Sequence, residues 1–384
     1  MQSAKQDTGT IARRISPVAL VAAYAVMAFP DGIGVMAARF GMEGTASTLM
    51  FLWFALLPIP AGKLCGRMGS RWAVALSLAV ALPAFVLLWQ GESQSVVVAS
   101  GFALAGISNV MLQTTAPVWA AESFGAARLS GVLTAGLFVK TSVAIGLPFA
   151  VMALSAIGDW RWVFPVFAVV AVLAACLVLC CRSRLAESDA LQADAVSLKG
   201  IVHLLKDRPV GLAAVAFAVA VIADIAFNLS VPATVIGRLG GGDVDVGFTY
   251  TLLFGVKLPV MLFGSMLFAR KGVAPFLMPV ILAAVAGTFA LLLADTFAVY
   301  LCGVALFAFG YANIYGFVYG VAAPRHPGAI PSVSVLLTLS IAGGALSSPL
   351  IGAFSWCGPR SAVVLVFVLT VVLAGLFASI RRRI

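Results

Sequence analysis

Charged side chains are scarce in this sequence. Lysine, arginine, aspartate and glutamate make up 10% of its 384 residues, whereas hydrophobic residues make up 62%, and the mean hydropathy is +1.11. Because a soluble domain carries roughly a quarter of its residues as charged side chains, this composition excludes a soluble fold. Apolar runs of about 20 residues, long enough to cross a bilayer as a helix, recur from end to end. The sequence therefore predicts an all-α integral membrane protein, because helices satisfy their own backbone hydrogen bonds in lipid.

The sequence also lacks the patterns of common catalytic and metal sites. It has two histidines and six cysteines, and the cysteines lie in or beside apolar runs without metal-ligand spacing. It has no nucleotide-binding glycine–lysine loop and no nucleophile triad. We therefore expect no enzyme activity, no metal and no cofactor. The net charge of +10 comes from residues between the apolar runs, where membrane topology explains them, so no nucleic-acid partner is expected.

Twelve apolar runs predict twelve membrane-spanning helices, numbered spans 1 to 12 in chain order. They lie at 16–39, 45–64, 71–90, 96–121, 128–154, 161–181, 209–236, 245–269, 274–294, 297–321, 331–355 and 360–380. A long polar linker, 182–208, separates an N-terminal bundle at 16–181 from a C-terminal bundle at 209–380. Polar tails remain at 1–15 and 381–384. Within the linker, 197–205 is expected to form a short surface helix.

The distribution of basic residues predicts the orientation in the membrane. If the N-terminus is cytoplasmic, the loops and tails on that side hold 18 lysines and arginines, and the opposite side holds four. Cytoplasmic loops carry the excess of basic residues in membrane proteins. We therefore expect both termini in the cytoplasm, and a location in a bacterial inner membrane.

The two halves of the chain look like distant copies of each other. Several features recur in the same order at separations of 193 to 204 residues. They are Asp31 and Asp224 in spans 1 and 7, Pro60 and Pro259 in spans 2 and 8, Gly69 and Gly272 after those spans, Asn109 and Asn313 in spans 4 and 10, and Pro148 and Pro349 in spans 5 and 11. A duplicated bundle with a pocket between its halves is typical of secondary transporters.

A basic segment of about ten residues after span 2 is predicted to be a loop, and it carries a family motif. The motif of the loop between helices 2 and 3 in the major facilitator superfamily is matched by Gly62, Leu64, Arg67, Gly69 and Arg71. Gly66 replaces the usual acidic residue. With FLWFALLPIPAG, GISNVMLQTTAPVW and the segments at 133–140 and 158–165, the chain resembles a transporter of that superfamily. It is most similar to the branch of fucose–proton symporters and related bacterial sugar permeases.

This resemblance implies two pseudo-symmetric six-helix bundles that work by alternating access. It also implies that the basic loop acts as a gate. The predicted gating residues are Gly62, Arg67, Gly69, Arg71 and, in the repeat, Arg270.

Four charged residues lie inside the predicted spans: Asp31, Lys140, Asp224 and Lys257. A charge at the centre of a span costs about 2.5–3.5 kcal/mol on insertion scales, so such residues usually face a wet cavity or a charged partner. Two acids and two bases sum to zero, which favours pairing. Ion pairs that only hold helices together are one interpretation, and substrate binding, coupling or gating is the other.

The resemblance assigns a proton-coupling role to Asp31, which matches an aspartate implicated in coupling and sugar binding in the fucose symporters. Asp224 is its repeat counterpart, and we expect one or both to carry protons. The symporters also use a glutamate on span 4, but Gln113 occupies that position here and cannot titrate. The scheme with two carboxylates at those positions is therefore not transferred.

The two buried lysines, Lys140 and Lys257, have two interpretations. Two ammonium groups that face a cavity would bind a carboxylate, sulfate or phosphate, or each lysine could neutralise a nearby aspartate. Further candidates for substrate binding are the buried amides and one aromatic face: Gln113, Asn109, Asn228, Asn313, Tyr315 and Tyr319. Asn109 and Asn313 each follow a glycine by three residues, so close helix packing also explains them.

These patterns predict a monomeric secondary active transporter in the lipid bilayer that moves a small polar solute by alternating access, coupled to protons as a symporter. A sugar or sugar derivative is the first candidate substrate, by resemblance. The main alternative is a small organic or inorganic anion bound by Lys140 and Lys257, and an exporter of hydrophobic compounds ranks behind it. A non-transporting sensor on the same scaffold is the alternative from another class.

Overall fold

The computed structural model describes residues 17–93, 95–124, 126–181, 198–322, 325–326 and 330–383. Almost all of these residues are helical. The predicted tail at 1–15 and most of the linker, 182–197, lie outside the described residues. The predicted linker helix is present as Leu198–Lys206, and it packs against span 7 and the first part of span 11.

The twelve predicted spans are confirmed. Within the described residues, eleven helices are long and apolar enough to cross a membrane, and a bent pair of helices makes the twelfth span. In order, the spans are Pro17–Phe40, Ala46–Leu56 with Pro58–Met68, Ser70–Gln90, Val96–Phe124, Ala126–Ile157, Trp160–Cys180, Arg208–Arg238, Asp243–Lys271, Ala274–Leu293, Phe297–Ala322, Ile330–Ser340 with Ile341–Leu346 and Ser347–Ala353, and Ser361–Arg381. Their ends differ from the predicted ends by a few residues.

The predicted ten-residue loop after span 2 is wrong. The helix Pro58–Met68 runs through Gly62 and Arg67 and ends at Gly69, whose φ of 84° favours glycine. Span 3 begins at the next residue, so one glycine makes the turn. The helix continues through its glycines because the penalty of about 1 kcal/mol each is smaller than the cost of unpaired backbone groups near lipid.

The repeat counterpart of this turn has the same form. Span 8 ends with Arg270 and Lys271 on its last turn, and Gly272 follows with a φ of 71°. Span 9 begins at Ala274. Of the predicted gating residues, Arg71 lies on the first turn of span 3 and donates from its Nη1 to the backbone oxygen of Cys181, at the end of span 6.

Several spans are interrupted near their middle. Span 1 changes to a 3₁₀ turn at Phe29–Gly32, and span 2 bends by 56° at Pro58. Span 11 has a 3₁₀ segment at Ile341–Leu346, and span 10 is broken between Tyr311 and Ile314. Prolines or paired glycines lie at the breaks in spans 1, 2 and 11, where they remove or weaken helical hydrogen bonds. Broken backbone at membrane depth is tolerated where protein or a wet cavity surrounds it.

Among the described residues, the main contacts between the two six-helix bundles join spans 1 and 7, spans 2 and 11, and spans 5 and 8, and span 4 also contacts the first part of span 11. In the first pair, Gly34 lies so close to Asn228 and Tyr250 that no side chain fits there. Spans 5 and 8 face each other across this seam. Gly247 of span 8 packs directly on Met152 of span 5.

The end of the molecule that the sequence predicts to be extracytoplasmic, called the predicted outer end below, is closed. Arg39 and Asp243 form an ion pair of 2.6 Å between spans 1 and 8. Ser47 and Ser348 are joined at 2.7 Å between spans 2 and 11. Ser348 also donates to the backbone oxygen of Glu43 at 2.7 Å. These bonds tie the N-terminal bundle to the C-terminal bundle at one end.

Candidate functional site

Asp31 lies in the 3₁₀ turn that interrupts span 1, between Pro30 and Gly32. Lys140 of span 5 donates from its Nζ to Asp31 Oδ1 at 3.2 Å. The exposed fractions are 24% for the aspartate side chain and 22% for the lysine side chain. Both side chains are therefore partly accessible, although span 1 as a whole is mostly buried in the protein.

Two amides of span 4 support the break in span 1. Asn109 donates from its Nδ2 to the backbone oxygen of Met27 at 3.3 Å, just before the 3₁₀ turn. Gln113 in turn donates to Asn109 Oδ1 at 2.9 Å. The predicted span-4 residues thus meet each other and the backbone beside Asp31. In this arrangement they orient the turn that carries the aspartate.

The second pair joins spans 7 and 8. Lys257 donates from its Nζ to Asp224 Oδ1 at 2.7 Å, and its side chain is 11% exposed against 31% for Asp224. The ammonium also lies over the ring of Phe254, 5.4 Å from the ring centre, a favourable position for a cation. The Nζ–Oδ1 distance is shorter in this pair than in the first, and Lys257 contacts both Asp224 and the ring of Phe254.

The two ion pairs form one electrostatic network. The spans that carry the four charges pack against one another, span 1 against spans 5 and 7, and span 8 against spans 5 and 7. The lysines come from spans 5 and 8, which pack against each other across the seam between the bundles. The aspartates are related by the repeat, whereas the lysines are not, since span 5 corresponds to span 11 and span 8 to span 2. The network therefore depends on the assembled seam and not on duplication alone.

The pairing answers one question that the sequence left open. Each lysine neutralises one aspartate, as the second interpretation predicted, and the four charges sum to zero. Removing one partner of a fully buried pair costs about 3–5 kcal/mol. That figure is an upper bound here because the side chains are partly accessible.

The other predicted binding residues have different surroundings. Asn228 donates to the backbone oxygen of Asp224 at 2.8 Å, not to its carboxylate, and its Oδ1 is buried without a hydrogen-bond partner among the described residues. Asn313 lies at the break in span 10 and donates to the backbone oxygen of Val260 at 2.7 Å. The glycines before Asn109 and Asn313 do pack closely, Gly106 on span 2 and Gly310 on span 9.

The predicted tyrosine face is placed in part. Tyr315 is 44% exposed, and its ring meets that of Phe217 in span 7 at 5.7 Å. The side chain of Tyr319 lies outside the described residues. Sequence reasoning missed Tyr24 of span 1, whose ring packs on Gly136, about one turn before Lys140 on span 5. It also missed Tyr250, whose hydroxyl donates to the backbone oxygen of Asn228 at 2.6 Å.

Comparison with known proteins identifies the family that shares this architecture. A family model described as the Major Facilitator Superfamily matches residues 15–333. The chain is similar in structure to the E. coli fucose:proton symporter, with 15% identity and a TM-score of 0.69 over 96% of this chain and 99% of that chain. A bacterial homologue of the human lysosomal transporter Spinster, inward-facing and occupied, gives 17% identity and a TM-score of 0.71 over 96% and 97%. The nucleoside transporter NupG gives 12% identity and a TM-score of 0.69 over 96% of this chain and 99% of that chain.

At these identities the solved structures show a common fold and nothing about the substrate. A search among curated proteins gave no match. The family match covers most of the chain, and the twelve spans agree with it. The chain belongs to the major facilitator superfamily and is a multi-pass membrane transporter, not an enzyme.

Proposed function

We propose that the protein is a secondary active transporter that moves a small polar solute across a bacterial inner membrane, coupled to protons at Asp31 and Asp224. The two buried aspartate–lysine pairs at the seam between the bundles carry this proposal. Charged pairs at this depth are costly. Their position, where spans 1, 5, 7 and 8 meet, is where alternating access would expose them to each side in turn.

The two aspartates have the properties that proton carriers need. Each carboxylate is partly accessible, and each has one lysine whose contact a proton would replace. Asp31 also lies in a broken stretch of span 1. A change in the protonation of either aspartate alters the charge of a network that spans both bundles, which gives a route from proton binding to bundle movement.

The substrate is proposed to be small and polar. The amides at Asn109, Gln113 and Asn228 supply polar groups beside the network. Tyr24 packs on Gly136, about one turn before Lys140. The similar structures include transporters named for fucose and for nucleosides, which are polar solutes. The two candidate classes of substrate are therefore neutral sugars and small anions.

The orientation is also part of the proposal. The distribution of 18 against four basic residues puts both termini in the cytoplasm. The ion pair and hydrogen bonds that close one end then lie on the outer side. The present conformation would accordingly be one that is closed to the outside.

Transport by the purified protein in proteoliposomes tests the proposal. Counterflow of labelled solutes should be present, and an inward pH gradient should drive accumulation above equilibrium. Asp31→Asn combined with Asp224→Asn should abolish accumulation. Asp295→Asn, which removes an exposed carboxylate paired with Arg360, should leave it unchanged. Uphill transport by the double variant would disprove proton coupling at these residues.

The same assay separates a transporter from a sensor. A sensor would be stabilised against heat by its ligand and yet show no exchange of that ligand. A ligand that raises the melting temperature and also undergoes counterflow supports the transporter.

A further inference from the structure

The charge balance of the network distinguishes between the two candidate classes of substrate. In the present structure the network holds two carboxylates and two ammonium groups, each joined to one opposite charge. A lysine that is already paired does not offer a free positive charge to an anion. An anionic substrate therefore cannot use Lys140 or Lys257 until the aspartate partner has lost its charge.

Proton binding changes this balance. If a proton adds to Asp31, the carboxylate becomes neutral and Lys140 keeps its charge without a partner. An unpaired ammonium in a low-dielectric site is strongly unfavourable. With a neutral solute nothing restores the balance, so protonation itself is opposed. With a monoanion the balance is restored, because the substrate carboxylate accepts the hydrogen bond from Lys140 that Asp31 gave up.

The Asp31–Lys140 pair fits this exchange better than the Asp224–Lys257 pair. Its contact is 3.2 Å against 2.7 Å, and Lys140 is 22% exposed against 11% for Lys257. Lys257 is also held over the ring of Phe254. The charged groups that act on Asp31 are Lys140 of span 5, Asp224 of span 7 and Lys257 of span 8.

We infer that the protein carries one proton together with one small organic monoanion, and that both bind at the Asp31–Lys140 pair. This inference rests on the proposed function and names its substrate class. The proton adds to the Asp31 carboxylate, the ion pair with Lys140 separates, and the Lys140 ammonium donates to the carboxylate of the substrate. On release the proton leaves Asp31, the pair re-forms and the anion departs. The site has zero net charge at both ends of the cycle, so proton and anion depend on each other for binding.

Proteoliposome assays with a panel of solutes test the substrate class. The probes are monocarboxylates, such as lactate and gluconate, and neutral sugars, such as glucose and fucose, under a membrane potential clamped with potassium and valinomycin. We expect counterflow with at least one monocarboxylate and none with the neutral sugars. Uptake should be driven by a pH gradient and be unaffected by the potential, because a proton and a monoanion carry no net charge.

The outcomes distinguish a failure of the monoanion inference from a failure of the proposed proton-coupled transport. Proton-driven uptake of a neutral sugar that an inside-negative potential accelerates would overturn the monoanion inference and leave the proposed transporter intact. Exchange of no monocarboxylate in the panel would also overturn the inference. Accumulation of a solute that does not respond to a pH gradient would count against the proposed proton coupling itself.

Variants of the pair test the site directly. Asp31→Asn mimics the protonated aspartate and leaves Lys140 without its partner. Its affinity for the monoanion should become independent of pH between about pH 6 and 8, whereas the affinity of the unaltered protein should fall about tenfold for each pH unit once Asp31 is ionised. Uphill accumulation should be lost while counterflow remains.

A second variant keeps the test decisive if the first is unstable. Asp31→Asn combined with Lys140→Gln restores neutrality without the ammonium, so it should fold and should bind the monoanion at least tenfold more weakly. Asp295→Asn is the matched control and should keep the original pH dependence. Unchanged affinity in the double variant would overturn the assignment of the site to Lys140.

Discussion

Arg39 and Asp243 form an ion pair of 2.6 Å between the two bundles at the predicted outer end. Arg39 lies on the last turn of span 1, and Asp243 is the first residue of span 8. Their side chains are 30% and 55% exposed. The pair therefore stabilises the closed state by about 0.2–1 kcal/mol, the usual range for surface ion pairs. Because the pair requires spans 1 and 8 to meet, it favours closure of that end.

We expect Arg39→Gln to open the predicted outer end more often. Loss of about 0.2–1 kcal/mol shifts the equilibrium between the closed and open states by about 1.4- to 5-fold. The measurement is the labelling rate of a cysteine introduced as Ser348→Cys, which is buried in the closed seam, by an impermeant maleimide. The background carries Cys357→Ser so that this native thiol does not react.

Arg360→Gln is the matched control for this experiment. Arg360 pairs with Asp295 within the C-terminal bundle, so its removal should not change the labelling rate. Restoration of the slow rate by Arg39→Asp combined with Asp243→Arg would confirm that the pair itself is responsible. Equal acceleration by Arg360→Gln would contradict a specific role for Arg39.

Gly34 determines how closely spans 1 and 7 approach. A β-carbon at this position would overlap the backbone oxygen of Asn228 and the hydroxyl of Tyr250, and the backbone of a packed helix cannot move without cost. We expect Gly34→Ala to separate the spans, to increase labelling at Ser348→Cys and to lower the transport rate. Gly237→Ala, where the added carbon meets nothing within 4 Å, should change neither quantity.

The spans were predictable because a bilayer leaves an apolar run of about 20 residues few alternatives to a helix. The turn at Gly69 was not predictable in detail. Gly62, Gly66 and Gly69 look alike in the sequence, yet only Gly69 has the positive φ that needs glycine. Which of several glycines ends a helix depends on where neighbouring helices place the next span, and local composition does not record that.

The charged residues of the site were predictable, and their partners were not. Asp31 and Lys140 are conspicuous because charge is rare in these spans, but they are 109 residues apart. Which lysine meets which aspartate depends on the packing of spans 1, 5, 7 and 8. Tyr24 and Tyr250 gave no signal, since a tyrosine in an apolar helix is equally compatible with core packing.

Gly66 is exposed near the end of span 2, whose second part packs against Ile330–Ser340 of span 11. The family motif has an acidic residue at this position, and a negative charge at the N-terminal end of a helix is stabilising by about 0.3–1 kcal/mol. We expect Gly66→Asp to hold the predicted inner end closed and to favour opening at the outer end by about 1.7- to 5-fold. Slower labelling of Thr338→Cys from the inner side measures the effect.

Gly66→Asn tests whether charge explains that result. It has nearly the same shape as Gly66→Asp and no charge at neutral pH, so it should label at the original rate. If both variants slow the labelling equally, the added side chain and not the helix dipole is responsible. Unchanged labelling in Gly66→Asp would refute the expected closure.

The Asp224–Lys257 pair predicts a strong energetic coupling between its two members. Asp224→Asn leaves an ammonium that is 11% exposed without its partner, and Lys257→Gln leaves the carboxylate unpaired. Each single variant should therefore lose a substantial part of the about 3–5 kcal/mol known for buried pairs. The double variant removes both charges and should lose less than the sum of the two, with a coupling of about 1–3 kcal/mol.

The unaltered protein, the two single variants and the double variant form a double-mutant cycle. The free energy of unfolding of each protein, measured in mixed micelles, gives the coupling free energy. The exposed Arg39–Asp243 pair provides the comparison: Arg39→Gln with Asp243→Asn should couple by about 0.2–1 kcal/mol. Additive losses at Asp224 and Lys257 would mean that the two side chains do not stabilise each other. A coupling well above that of the exposed pair would identify Asp224–Lys257 as the more rigid of the two pairs, because a pair that is more costly to separate exchanges its partner less readily than Asp31–Lys140 does.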